Sequence, residues 1–359
     1  MKPLKIGNLT AEIPVIQGGM GVGISLSGLA GAVGAAGGVG VISSAQIGFR
    51  REGFDEAPIE TNLEALKEEI GKAKELAAGG IIGVNIMVAT RKYEDYVRTA
   101  AEAGADLIIS GAGLPMTLPE LVRGSETRIA PIVSSLKSAK VILQYWMKKY
   151  EKVPDLVVIE GPEAGGHLGF SYEQLAHLED LDYDREIAAI TAFVKEWGAV
   201  RGQEIPVVAA GGIYTREDAE RVCALGADGV QMGTRFVTTY ECDAPMSYKQ
   251  AYLNARKEDI VLVKSPVGMP GRALENDFVM RTRQGKLPHG KCHVCVSTCK
   301  PQETPYCITD ALVNAAKGDM EHALIFCGSN AYRAQRLEHV EDIMREFAPA
   351  SSGEKQKPF

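Results

Sequence analysis

The run Ile205-Pro206-Val207-Val208-Ala209-Ala210-Gly211-Gly212-Ile213 is followed, one short amphipathic stretch later, by Gly229-Val230-Gln231-Met232-Gly233-Thr234-Arg235. Each is a brief apolar run that ends abruptly in a glycine turn. The first spans four to six residues without polar alternation, which suits a parallel strand covered on both faces. The stretch between them, Thr215 to Leu225, places Asp218 three residues after Thr215 and stops before Gly226, the start and stop signals of a helix. A strand, a glycine turn, a helix and a second strand with its own glycine turn make one βα repeat and the start of the next.

Working outward, the same unit recurs. Apolar runs occur at Val15–Gln17, Gly40–Ser43, Ile81–Ile86, Leu107–Ser110, Ile129–Val133 and Leu156–Ile159. With the two above, that makes eight. Helical spacing separates them, most clearly over Thr61–Ala78, where Leu63, Leu66 and Ile70 share a face opposite a charged one. Eight repeats predict a closed (β/α)8 TIM barrel rather than a doubly wound open sheet. The barrel is expected over residues 1–245. After it the pattern changes: 259–306 is irregular and proline-rich, with helical spacing over 246–256, 307–317 and 330–347. A smaller second domain is expected over 246–359, its last helix packing on the barrel wall, with a disordered polar tail from Pro349 to Phe359.

Composition narrows the function. A net charge of -7 leaves no basic surface for nucleic acid or anionic membrane. The stretch Ile13–Phe49 carries no charge, but Pro14 and paired glycines interrupt it, so it reads as a buried strand-helix-strand unit rather than a membrane span. The N-terminal MKPLKIGNLTAEIP lacks an apolar segment of signal-peptide type, and the cysteines look free, so a cytoplasmic location is expected. A small-molecule substrate is expected, and a homodimer is among the expected states.

Several motifs could carry chemistry. In barrels the strand C-termini hold the active site, and the loops after strands seven and eight commonly bind phosphate. Gly211, Gly212 and Gly233 fall there, where bare main-chain N–H groups can reach an anion. After strand six comes Glu160-Gly161-Pro162-Glu163-Ala164-Gly165-Gly166-His167. His167, in a glycine-rich loop at a strand end, is placed for acid–base work, and Glu160 ends the strand facing the pocket. Gln17-Gly18-Gly19-Met20-Gly21 lets main chain pass close to a flat ring. Asn85 is a polar residue within an apolar strand and needs a partner.

These pieces in this order (QGGMG, GVNIMV, EGPEAGGHLG, AAGGI and ADGVQMGTRF, over about residues 13 to 260) resemble the nitronate monooxygenase, or 2-nitropropane dioxygenase, family, which includes FMN-dependent enoyl-ACP reductases. The resemblance implies an FMN-dependent oxidoreductase. It implies flavin contacts from Asn85, Glu160, Gly165, Gly212, Gln231, Met232, Gly233 and Thr234, with Gly19 and Met20 lining the ring and Gly211 in the phosphate turn. It also implies that His167 is catalytic. Many family members carry glutamine where Glu160 stands. The two reactions implied are oxidation of alkyl nitronates by O2 and NAD(P)H-dependent enoyl reduction.

Four cysteines, Cys292, Cys295, Cys299 and Cys307, fall within sixteen positions. Their C-x2-C-x3-C piece resembles the cluster segment of flavin barrels related to 2,4-dienoyl-CoA reductase, and a [4Fe-4S] cluster or zinc is the expectation weighed against free thiols or a redox disulfide. A phosphate-binding barrel of IMP dehydrogenase or lyase type is the competing class. The first would need a nucleophilic cysteine after strand six, where this chain has Gly165-Gly166-His167, and the second a lysine or glutamate at strand ends; no lysine ends a predicted strand.

Overall fold

A computed structural model describes residues 1–349; most of the expected disordered tail lies outside the described residues. Eight parallel strands close into a barrel: β3 (Val15–Gln17), β4 (Val39–Ser43), β5 (Ile81–Met87), β6 (Leu107–Gly111), β7 (Arg128–Val133), β8 (Val157–Glu160), β10 (Val207–Ala210) and β11 (Gly229–Met232). The hydrogen-bonded order β10-β11-β3-β4-β5-β6-β7-β8 runs in chain order around the ring, as right-handed βα connections require.

Side-chain parity explains the two layers of core. Ile16, Val39, Val41, Ile81, Leu107, Ile109, Ala130, Leu156, Val158, Val208 and Ala210 form one cluster, the barrel interior. Their neighbours Val15, Ile42, Ile82, Val84, Ile86, Ile108, Ile129, Val157, Ile159, Val207, Ala209 and Val230 belong to another, between strands and helices. Strand side chains alternate, so both faces must be apolar, and the sequence runs are.

An antiparallel hairpin, β1 (Leu4–Ile6) with β2 (Leu9–Ala11), plugs the N-terminal end: Leu4, Ile6 and Ala11 belong to the interior cluster. β3 pairs with β4 at a single register position, Ile16 with Val39. Gln17 completes that seam with its side chain, accepting from Val41 N at 3.0 Å and donating to Val41 O at 3.2 Å. The long amphipathic helix runs Pro58–Ala77, with proline in its first turn, where no N–H is missed. The apolar helix Ser27–Ala35 has no acidic residue in its first turn. Asp243, 214 positions beyond Leu29 in the chain, supplies one, accepting from Leu26, Gly28 and Leu29 N at 2.7, 3.1 and 3.1 Å.

Beyond the barrel, helix Met246–Leu253 buries Tyr248 and Tyr252 in the main core. Strands β12 (Ile260–Lys264) and β13 (Pro270–Leu274) pair antiparallel, and β9 (Gly166–His167) joins as the third strand. A separate apolar cluster of Val263, Phe278, Val279, Tyr306, Ile308, Ala311 and Leu324 sits against this sheet. The continuous helix expected over 330–347 is not formed. A 3-10 turn (Ala331–Arg333) and an extended stretch precede the helix Val340–Phe347. The 327–333 segment is instead tied to barrel loops by its own polar groups, which a regular helix could not present there.

Candidate active site

The parity that fills the barrel also builds the site. Continuing each inward series to the C-terminal strand end gives Gly18, Ser43, Asn85, Gly111, Ile132, Glu160, Ala210 and Gln231. All eight line one cavity of about 400 Å³ at the barrel mouth. Every site residue expected around the flavin lines it: Gly19, Met20, Asn85, Glu160, Gly165, Gly211, Gly212, Gln231, Met232, Gly233 and Thr234, with His167. Met232 contributes main chain only. Its side chain has outward parity and packs in the shell, while its carbonyl accepts from Gly18 N at 2.9 Å.

The glycines are required where they stand. A Cβ on Gly19 would lie 2.4 Å from Asn85 Cβ. Gly211 and Gly212 both have positive φ, +91° and +73°, and a Cβ on Gly212 would sit 2.5 Å from a Glu163 carboxylate oxygen. A Cβ on Gly165 would strike Cys327 and Gly328 main chain at 2.6–2.8 Å.

That last contact reveals a wall the sequence reading missed. Cys327-Gly328-Ser329-Asn330 lies across the glycine turns. Gly328 N donates to Thr234 Oγ1 (3.0 Å), Ser329 N to Glu163 O (3.1 Å), Ser329 Oγ to Glu163 Oε1 (3.1 Å) and Asn330 Nδ2 to Gly212 O (2.8 Å). Buried Arg272 braces the same loop, donating to Pro162 O at 2.8 Å and Ala164 O at 2.5 Å. A Gly-Ser-Asn turn between helical stretches was the available signal.

His167 is not in a free loop, as expected, but in β9, registered opposite Gly271. Its Nε2 lies 2.6 Å from Ser265 Oγ, and Phe326 meets its ring edge-on at 5.0 Å. Burial pushes its pKa down to about 4, so the imidazole is neutral at pH 7. Nδ1 is then the ring nitrogen with no partner among the described residues. Ser265, on the β12–β13 turn, is a second residue missed: nothing in the sequence ties it to a histidine 98 positions away.

Three inward polar side chains, Asn85, Glu160 and Gln231, make no side-chain hydrogen bond among the described residues, and all face the cavity. Buried polar groups are ordinarily paired, so these ends are suited to a polar, planar ligand. Burial pushes the Glu160 carboxyl up to about 7. Among the described residues no lysine or arginine lines the cavity.

The cysteine expectation fares differently. All four thiols are free, and among the described residues no group of three or more His, Cys, Asp or Glu side chains is gathered closely enough to hold a metal ion. As placed, these thiols give the iron–sulfur or zinc expectation no support. Cys295 O accepts from Arg91 N at 3.0 Å, docking that part of the loop on the barrel, while Cys307 stands at the N-cap of helix Ile308–Lys317. Burial raises the thiol pKa of Cys295, Cys299 and Cys307, the last to about 12. His293 is held between Asp55 (2.9 Å) and Asp310 (3.6 Å) and stacks on Phe54, a structural clamp for this loop.

The family model for nitronate monooxygenase matches residues 2–349. The chain belongs to the nitronate monooxygenase family. A probable nitronate monooxygenase of Staphylococcus saprophyticus is 29% identical over 199 residues, 55% of this chain and 52% of that protein; the chain thus spans about half of that relative's length. A Mycobacterium tuberculosis dehydrogenase named for a hydroxy-methyl-oxo-octahydroindene carboxyl-CoA is 26% identical over 279 residues, 78% of this chain and 68% of that one. FabK from Thermotoga maritima superposes with a TM-score of 0.70 at 26% identity, covering 94% of this chain and 93% of that one.

Proposed function

We propose that this nitronate monooxygenase family member binds FMN at the barrel mouth and oxidises alkyl nitronates with O2, with His167 as its proton-handling group. The observation that carries the reading is the pairing of a neutral, positioned imidazole with three unpartnered polar side chains around one cavity. Bound FMN would supply the electron transfer that no side chain here can perform. The protein's share is positional. Gly211, Gly212, Gly233 and Thr234 would hold the phosphate, Asn85, Glu160 and Gln231 the ring edge, and Gly19 and Met20 a ring face.

A neutral imidazole accepts a proton rather than presenting a charge. His167 would take the α-proton of a nitroalkane at Nδ1, or donate a hydrogen bond to a nitronate, with Ser265 fixing the ring through Nε2. Met87, Leu114, Met269, Leu312 and Phe326 line the rest of the cavity and suit an alkyl chain.

A second reading, NAD(P)H-dependent reduction of an enoyl thioester, is favoured by the lack of any lysine or arginine in the cavity lining among the described residues: no cationic side chain awaits an anionic substrate. The carboxyl-CoA in the mycobacterial relative's name points the same way. Anaerobic mixing of the yellow protein with NADH or NADPH separates the two. Nitronate oxidation requires that the flavin band persist with pyridine nucleotide and bleach with alkyl nitronate; rapid bleaching by NAD(P)H would refute it in favour of the reductase. A protein that takes up no FMN would refute both.

A further inference from the structure

Glu160 ends β8, registered opposite Ala210 of β10, and by parity its side chain continues the inward row below the cavity. Its main chain is fixed: Glu160 O accepts from Tyr183 Oη at 2.9 Å, and the next N–H, Gly161, donates to Ala210 O at 2.8 Å. The strand end thus sets the side chain's root at the cavity floor. Its two oxygens have no hydrogen-bond donor and no ion-pair partner among the described residues.

The surroundings are equally plain. Neutral amides face the cavity from β5 (Asn85) and β11 (Gln231). The loop after β8 brings Glu163, already bonded to Ser329; β9 brings neutral His167. Tyr183 comes from helix Tyr183–Ala199, Tyr248 and Tyr252 from helix Met246–Leu253, and the buried thiol Cys327 from the closing loop. None supplies a positive charge. Glu160 keeps part of its surface open to the cavity; once a ligand fills that space, a carboxylate there would be an anion shut off from water with no cationic partner among the described residues.

We infer that Glu160 serves the cofactor site as the neutral carboxylic acid, and that its O–H donates a hydrogen bond to the ring system bound above it. The inference rests on the FMN reading. A flavin edge presents several acceptor atoms and a single N–H. A protonated carboxyl offers one donor and one acceptor, the same pair that a glutamine amide offers, whereas a carboxylate offers acceptors alone. Desolvation, which raises this group's pKa to about 7, keeps the acid form populated under neutral conditions. Ionisation then removes a donor and places a charge against the ring's own acceptors.

The test is FMN binding to the apoprotein, read by quenching of flavin fluorescence between about pH 6 and about pH 9, for wild type, Glu160→Gln and Glu163→Gln. Wild-type affinity is expected to fall by about tenfold or more across that range, the cost of one hydrogen bond to a charged or lost donor. Glu160→Gln, a permanent donor, is expected to stay within about twofold of its own value throughout. Glu163→Gln is expected to keep the wild-type slope whatever its absolute affinity. The phosphate's own ionisation is common to all three and cancels in the comparison. Parallel pH dependence in wild type and Glu160→Gln overturns the proposal. If Glu160→Gln does not fold, the wild-type holoprotein decides: a carboxylic-acid carbonyl band in the infrared spectrum that disappears on raising pH supports the proposal, and its absence at acid pH overturns it. Failure of wild type to bind FMN at any pH removes the flavin reading itself, and is distinguished from the other outcomes by the lack of any quenching.

Discussion

Replacing Arg235 with alanine should separate the C-terminal helix from the barrel. Arg235 follows the glycine turn after β11 and is buried, with its guanidinium 3.3 Å from Glu338 and 2.7 Å from Glu346. Nη1 also donates to Tyr214 O at 2.8 Å, and the group lies over the Tyr214 and Phe347 rings at 5.3 and 6.0 Å. Removing one member of a buried ion pair ordinarily costs about 3–5 kcal/mol, since the partner charge is stranded. Here Glu338 and Glu346 keep 19% and 33% of their side-chain surface, so water relieves part of that penalty. The lost carbonyl hydrogen bond and aromatic contacts add back about 1–2 kcal/mol. A loss of about 3 kcal/mol follows. Urea unfolding at neutral pH, followed by tryptophan fluorescence, measures it. Limited proteolysis should show the Val340–Phe347 helix more readily cleaved than in wild type before the barrel opens, since its remaining anchors are the Arg216 donations to Glu346 O and Ala348 O (2.9 and 3.0 Å), Val340 N to Glu241 Oε2 (3.0 Å) and apolar packing of Met344 and Phe347. A loss below about 1 kcal/mol, with the helix no more protease-sensitive than in wild type, would refute the claim that this cluster holds the two parts together.

Further predictions concern the site. His167→Ala should lower turnover by about 100-fold or more while FMN remains bound; unchanged steady-state rates would remove His167 from the chemistry. His167 also has a stability signature. Its folded pKa is depressed to about 4, below the unfolded value of about 6.5. The unfolded chain therefore binds a proton that the folded chain refuses, and stability falls as pH drops from about 6.5 towards about 4. His167→Gln should lose less stability than wild type between about pH 7 and about pH 5, a difference of about 2 kcal/mol in paired urea titrations; identical profiles would show that burial does not hold the imidazole neutral. Gly212→Ala combines a left-handed backbone, costing about 1–2 kcal/mol, with displacement of the Glu163 carboxylate. FMN affinity should fall by about tenfold or more at unchanged far-UV circular dichroism, and retention of wild-type affinity would show that this turn does not hold the phosphate.

What was legible followed local rules. Eight strands were visible because parallel strands covered on both faces must be apolar throughout, and the glycine turns after β10 and β11 because bare main chain there leaves a mark in composition. Asn85 and Glu160 stood out as polar residues ending or interrupting apolar runs, and both face the cavity. What was hidden depends on contacts between distant parts of the chain. Ser265 is an ordinary turn serine until β13 brings the β12–β13 turn beside His167. Asn330 read as the start of a helix because apolar spacing downstream suggested one; its hydrogen bond to Gly212, beside those of Ser329 to Glu163, overrode that local preference. The four cysteines illustrate the reverse. Their spacing suggested metal ligation, but tertiary tethers at Cys295 and Cys307 decide where the thiols lie.

The loop Cys327–Asn330 has a consequence for the order of events during synthesis. The glycine turns it braces emerge from the ribosome more than ninety residues earlier, Thr234 being 94 positions from Gly328. A nascent barrel complete through β11 therefore has an open-sided mouth. The last wall arrives only once residues 327–330 have been made, and Arg235 waits longer still for its partner Glu346. Products truncated before residue 330 would carry a whole barrel around an unfinished site.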